Sequence, residues 1–311
     1  MPGNGARSVS GDAAVSDFQL DSRQDRVFRV IVRIVLIAIL GLIVYPLVYV
    51  VSASISAPML VLEGKLLLFP KNVTMIAYER VFQNEDIWMG YKNTILYVTV
   101  GVTLNICLTI AGAYPLSRKD FFGRKLFMML LVFTMFFNGG LIPLYLIVRG
   151  LGLINTFAVM VIPAAVNMFY LIILRNFFEH AIPVELQEAA MIDGSTNIGY
   201  LIKVVLPLSI PIIGVLILFY SVDQWNNFLR ALMFLTDRER YPLQLILREI
   251  LVQSQMQDMM DGQSDSATTQ MLMAETIKYA VIIVSSVPLL FIYPFFQRYF
   301  IKGIMLGAIK G

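Results

Sequence analysis

Residues able to do covalent or metal chemistry are scarce. The 311-residue chain holds one cysteine, Cys107, and one histidine, His180. Zinc centres draw on several Cys, His or carboxylate ligands, and a single thiol builds no internal disulfide. The supply therefore speaks against hydrolytic metal chemistry and against redox chemistry. No His-Glu-x-x-His helix and no Gly-x-x-x-x-Gly-Lys-Ser/Thr loop occurs, which leaves neither a metalloprotease nor a nucleotide-binding signature. A serine hydrolase would want a base, and His180, next to Glu179, lies outside the apolar runs. We assign no catalytic and no metal-binding residue. What remains is binding chemistry. Asn138, Asn155, Asn167 and Asn226 stand in or beside apolar runs, with Trp225 next to the last. Neutral amides suit hydroxyl-rich ligands, and an indole can stack on a sugar ring. The bland alternatives are helix-to-helix hydrogen bonds for the amides and interfacial anchoring for the indole.

A second kind of function, mechanical contact, is written into residues 181–211, AIPVELQEAAMIDGSTNIGYLIKVVLPLSIP. Pro183 suits the first turn of a helix, and Glu185, Glu188, Ala189 and Ala190 favour helix. The helix should stop at Asp193-Gly194, where glycine can take the left-handed position. Ser195 can then cap a second helix, and Pro207 and Pro211 mark where that helix meets the membrane. The small Ala189 and Ala190 would let another protein approach that face closely. The null is an ordinary interfacial helix with a glycine turn.

The elements that carry these residues follow from composition. Hydrophobic residues make up 58% of the chain, charged residues 14%, and mean hydropathy is +0.74. Soluble domains are roughly 45–50% apolar and about 25% charged, so the bilayer is the solvent that fits. A net charge of +3 with dispersed basic residues points to no nucleic-acid partner. We expect an all-α membrane protein with six transmembrane helices near 34–54, 94–116, 126–148, 155–174, 206–222 and 279–296. The third is interrupted by Asn138-Gly139-Gly140 and Pro143. Residues 1–30 read as a flexible cytoplasmic tail and 31–311 as the transmembrane domain, the first span being an uncleaved anchor. The arginine-rich flank, Arg23, Arg26, Arg29 and Arg33, carries most of a modest positive-inside bias. It puts both termini in the cytoplasm and the 181–211 segment, between spans 4 and 5, on the same side.

The series Glu188-Ala189-Ala190, Asp193-Gly194, Leu206-Pro207 and Pro211 resembles the EAA loop of binding-protein-dependent ABC importer permeases. The resemblance covers nearly the whole chain after residue 30. Trp225-Asn226-Asn227 looks like the carbohydrate branch, similar to the smaller maltose-importer permease. Phe137-Asn-Gly-Gly-Leu-Ile-Pro143, Gly150-Leu-Gly-Leu-Ile-Asn155 and the tail 299–311 resemble a sub-branch for aldouronates and other complex oligosaccharides.

The resemblance implies a non-catalytic permease subunit of the bacterial cytoplasmic membrane, importing sugars, some of them acidic. Alternating access would be driven by a separate ATPase dimer, which holds ATP and magnesium, so no cofactor is expected in this chain. Its other partners would be a second homologous permease, an extracytoplasmic solute-binding protein and membrane lipid. Glu188, Ala189, Ala190, Met191, Asp193 and Gly194 would form the coupling helix that contacts the ATPase. Lys302, Gly303 and Gly307 would supply a second ATPase contact. Asn138, Asn155, Trp225 and Asn226 are candidates for the substrate path, although in the maltose relative the partner permease holds the sugar. A loop at 253–270 can touch the binding protein or be a surface linker. The alternative from another class is a secondary transporter driven by an ion gradient. It would want charges buried within spans, and the apolar runs have almost none.

Overall fold

A computed structural model describes residues 23–260, 277–292 and 294–295, and all regular structure among them is helical. The chain divides into two compact units, residues 1–48 and 49–311. The described part of the first unit is the leading stretch of α1 (Arg23–Ser54). From residue 25 to residue 47 every side chain is exposed, including Leu36, Ile37, Leu40 and Leu42. A helical stretch apolar on all sides and exposed along its length is matched to lipid. α1 begins at Arg23, inside the stretch 1–30 expected as tail; residues 1–22 lie outside the described residues.

The second unit is organised around α4 (Glu85–Ser117), preceded by the short α2 (Pro58–Leu62) and α3 (Ile76–Gln83). The Asn84 carboxamide accepts from Asp86 N at 3.0 Å and opens α4, with Glu85 and Asp86 favourably placed in the first turn. α4 therefore takes in residues 85–92, which the sequence reading left in an external loop. Beyond it come α5 (Arg124–Phe136), α6 (Leu141–Gly150), α7 (Phe157–Val161), α8 (Met168–His180), α9 (Val184–Ile192) and α10 (Asn197–Tyr200). A π-helical turn, Leu201–Val205, leads to α11 (Leu206–Leu208), α12 (Ile210–Trp225), α13 (Phe228–Phe234), α14 (Leu243–Met260) and α15 (Ile277–Ile292).

Two expectations need correction. The third span is interrupted where expected, at 137–140, but α5 and α6 meet at 112° rather than running on. The fourth is not one helix: α7 ends at Val161 and α8 starts at Met168. Pro163 brings no N–H to continue the ladder, and the Asn167 carboxamide starts a new helix by accepting from Phe169 N (2.9 Å) and Tyr170 N (3.4 Å). Residues 228–247, which lie between the expected spans 5 and 6, contribute core. Phe234, Leu243, Leu245 and Ile246 are each at most 1% exposed.

α4 packs against α8, α12 and α14. Contact with α14 depends on Gly90, where an added Cβ would lie 2.7 Å from Ile246 Cδ1 and 3.0 Å from Leu243 Cα. Ile246 and Leu243 belong to a core with Ile87, Trp225, Ala280 and Val281 that joins α4, α12, α14 and α15. A second core joins the far end of α4 to α8, α10 and α12 through Tyr114, Leu171, Leu174, Phe178, Tyr200 and Leu216. Among the described residues two helices are long and apolar enough to cross a membrane, Asp25–Ser54 and Glu85–Ser117, or four if each bent pair makes one span.

Candidate functional site

α9 carries the residues singled out for mechanical contact. Pro183 is its N-cap residue at φ −59°, one position ahead of the expected first turn. The helix ends at Ile192, Asp193 caps it, and Gly194 takes φ +72°. Ser195 N donates to Ala190 O at 2.8 Å and Gly194 N to Met191 O at 3.0 Å. These two bonds are the Schellman pattern, which satisfies carbonyls that a helix C-terminus leaves open. Thr196, not Ser195, caps α10: its Oγ1 accepts from Gly199 N at 3.1 Å. Ser195 closes the Schellman turn with its backbone N–H, which puts Thr196 in the N-cap position of α10.

No residue of α9 is buried. Glu188 and Ala189 are exposed, as are Val184, Leu186, Met191 and Ile192, the last at 86%. Ala190 is half-buried and rests on the core beside Tyr200 and Phe178. The two alanines thus divide: Ala190 seats the helix and Ala189 faces outward.

The turn is fastened to the membrane helices behind it. Tyr114 Oη donates to Asn197 O at 3.1 Å. Arg118, which caps α4, lies over the rings of Tyr114 and Tyr200, 5.7 and 5.4 Å from their centroids. Such cation–π contacts contribute about 0.5–2 kcal/mol each, depending on desolvation. Glu179 pairs with Arg124 and with Arg175, the latter at 2.5 Å, and Arg175 Nε donates to Leu116 O at 3.2 Å. A cavity of ≈220 Å³ lies beneath α9, lined among others by Tyr114, Arg118, Gln187, Met191 and Tyr200. At the other end, Pro211 cannot donate to the carbonyl four residues back, and the Asn197–Leu208 segment meets α12 at 80°. The α9 turn is thus joined to α4 through Tyr114, Arg118 and Tyr200, and to α12 through a bent joint.

The amides and indole expected along a substrate path each make hydrogen bonds within the chain. Asn138 Oδ1 accepts from Gly140 N at 3.0 Å, an Asx turn at the break between α5 and α6. Asn155, at φ +57°, donates N–H to Phe234 O at 2.8 Å, and its Oδ1 accepts from Thr236 N and Asp237 N. Trp225 is 3% exposed and its Nε1 donates to Ser285 O at 3.2 Å, so the indole neither stacks on a sugar nor lies at an interface. Asn226 Nδ2 caps Val222 O at 2.9 Å. His180 is a surface residue hydrogen-bonded to Asn176 O. Lys302, Gly303 and Gly307 lie outside the described residues. Of 253–270, residues up to Met260 continue α14 and the rest are outside.

A different polar site appears beside the middle of α4. The interval 162–167 between α7 and α8 faces the middle of α4, where the Asn105 carboxamide, assigned with its nitrogen toward the two carbonyls, donates to Gly101 O (2.8 Å) and Ala165 O (3.0 Å). A cavity of ≈170 Å³ opens there, lined by Asn105, Asn167, Asp223, Gln224, Asn227 and Arg230, among others. Arg230 Nη1 donates to Met160 O at 2.7 Å and touches Gln224 Oε1 at 3.5 Å. Gln224 Nε2 also donates to Met160 O, at 2.6 Å. The Arg230 side chain is largely buried, and a guanidinium stays charged in proteins. Sequence reading missed this group because it counted charges only within apolar runs, and Arg230 follows the fifth.

No family model matches the chain. It is 39% identical over 290 residues to the polygalacturonan/rhamnogalacturonan transport system permease protein YtcP of Bacillus subtilis, covering 93% of this chain and all of that one. It is 35% identical to Protein LplC of the same organism over 94% of this chain and 97% of the relative. An arabinooligosaccharides transport system permease protein, AraQ of Halalkalibacterium halodurans, is 28% identical over 86% of this chain and 91% of its own length. Among solved structures, a bacterial ABC transporter involved in the import of the acidic polysaccharide alginate matches with a TM-score of 0.80 and 33% identity. That match covers 90% of this chain and 98% of the other.

Proposed function

The chain belongs to the permease subunits of ABC-type carbohydrate importers, and we propose that it carries acidic oligosaccharides by alternating access driven through α9. It is a multi-pass bacterial membrane protein and non-catalytic; ATP is hydrolysed by a separate subunit. In the proposed assembly it pairs with a second homologous permease, stands on an ATPase dimer that binds ATP and magnesium, and receives substrate from an extracytoplasmic binding protein. Six spans with both termini in the cytoplasm place α9 on the ATPase side. Glu188, Ala189, Met191, Asp193 and Gly194 form the contact and Ala190 seats it; Lys302, Gly303 and Gly307 add a second contact. The acidic substrate class is taken from YtcP and the alginate importer, whose names specify acidic polysaccharides.

The observation that carries the coupling reading is a nine-residue helix with no buried residue, Ile192 at 86% exposure, fastened at both ends to buried helices. An isolated chain has no use for such a face; a partner that covers it does. Glu185 and Glu188 on it offer carboxylates to a basic partner surface. The test is Glu188→Lys in the assembled transporter. Reversing a charge inside a contact costs several kcal/mol, so uptake should fall by at least about tenfold while membrane insertion stays normal. Normal uptake by the inserted variant would refute the contact.

A further inference from the structure

We infer that the cavity between the α7–α8 break and α13 is a uronate subsite, in which Arg230 receives the sugar carboxylate and the surrounding amides receive its hydroxyls. The inference rests on the proposal that the cargo is acidic, and adds to it a place and a residue.

Non-helical backbone at membrane depth is tolerated only where it is buried in protein or lines a water-filled cavity. Residues 162–167 meet that condition against Asn105, twenty residues into α4. The break is thus built around a polar space. Its lining is unusual for a space between apolar helices: four carboxamides (Asn105, Asn167, Gln224, Asn227), one carboxylate (Asp223) and one guanidinium (Arg230). Each amide already makes a bond within the chain, Asn227 Oδ1 accepting from Arg230 N at 3.3 Å, and the remaining donor or acceptor capacity of each matches a sugar hydroxyl.

The charges are arranged to orient a ligand rather than to cancel. Asp223 is engaged by Tyr170, whose Oη donates to its Oδ2 at 2.8 Å. Among the described residues Arg230 forms no ion pair; its guanidinium donates from one nitrogen, Nη1, to the neutral Met160 O and Gln224 Oε1. A mostly buried cation without a carboxylate partner is costly to keep. An anionic guest removes that cost, and a guanidinium presents donors in a fork that matches a carboxylate. A ligand with its carboxylate at Arg230 and hydroxyls toward Asp223 and the amides satisfies the whole lining. A neutral sugar leaves the cation unanswered.

The test compares uptake of a trigalacturonate and of its methyl ester by cells expressing the whole transporter, for the wild-type chain and for Arg230→Gln, Arg230→Lys and Gln224→Glu. The readout is the ratio of acidic to esterified uptake, which loss of folded protein does not move. Losing a charge-assisted contact should lower the ratio about tenfold or more in Arg230→Gln. Arg230→Lys should keep most of it. Gln224→Glu leaves Arg230 in place but neutralises it from 3.5 Å, and should lower the ratio as well. A wild-type ratio in both Arg230→Gln and Gln224→Glu overturns the subsite and leaves the acidic-cargo reading standing. A wild-type transporter that takes up the ester and not the acid overturns both.

Discussion

Gly194 sets the geometry of the α9 turn. At φ +72° an L side chain is strained whatever space it has, and here an added Cβ would meet nothing within 4 Å. Conformation alone is therefore at stake. Gly194→Ala should cost about 1–2 kcal/mol and Gly194→Asn less, since asparagine enters this region more readily. Gly194→Pro cannot take the angle and also loses the N–H donated to Met191 O. Uptake measured beside membrane level should rank glycine, asparagine, alanine, proline, with proline below about a tenth of wild type; proline equal to glycine would remove the turn from the mechanism. Gly194 was legible in the sequence because a left-handed stop is local chemistry. Arg230 was not. Its guanidinium is held by Met160 O, 70 residues away, and no pattern near residue 230 announces that.

At the scale of elements, the cap on α10 separates two hydroxyls that the sequence could not. Ser195 gives its backbone N–H to the Schellman turn, while the Thr196 side chain accepts from Gly199 N. Thr196→Ala should lower thermal stability of the purified chain by about 1 kcal/mol and speed hydrogen exchange at the Gly199 amide. Ser195→Ala should do neither; the reverse result would assign the cap to Ser195. Helix starts and stops were readable wherever Asn, Gly or Pro stood beside an apolar run. Two features were hidden for the same reason: hydropathy reports the solvent of a segment, not its backbone. The run 155–174 is mostly apolar and yet broken at 162–167, and Leu243, Leu245, Ile246 and Leu247 are buried although charged residues flank them.

On the scale of the whole molecule, hydropathy identified the bilayer as solvent, and the exposed apolar length of α1 agrees with it. Partners were legible only through the resemblance carried by 188–211, because contact surfaces have no composition of their own. The central claim is that α9 transmits the work of an ATPase. The most direct measurement is a cysteine crosslink from Ala189→Cys, the outward-facing alanine, to the ATPase subunit in the assembled transporter, with exposed Cys107 first replaced. The account predicts a specific crosslink whose yield changes when ATP is added. A folded, assembled complex that gives no crosslink at Ala189, with or without nucleotide, would contradict it.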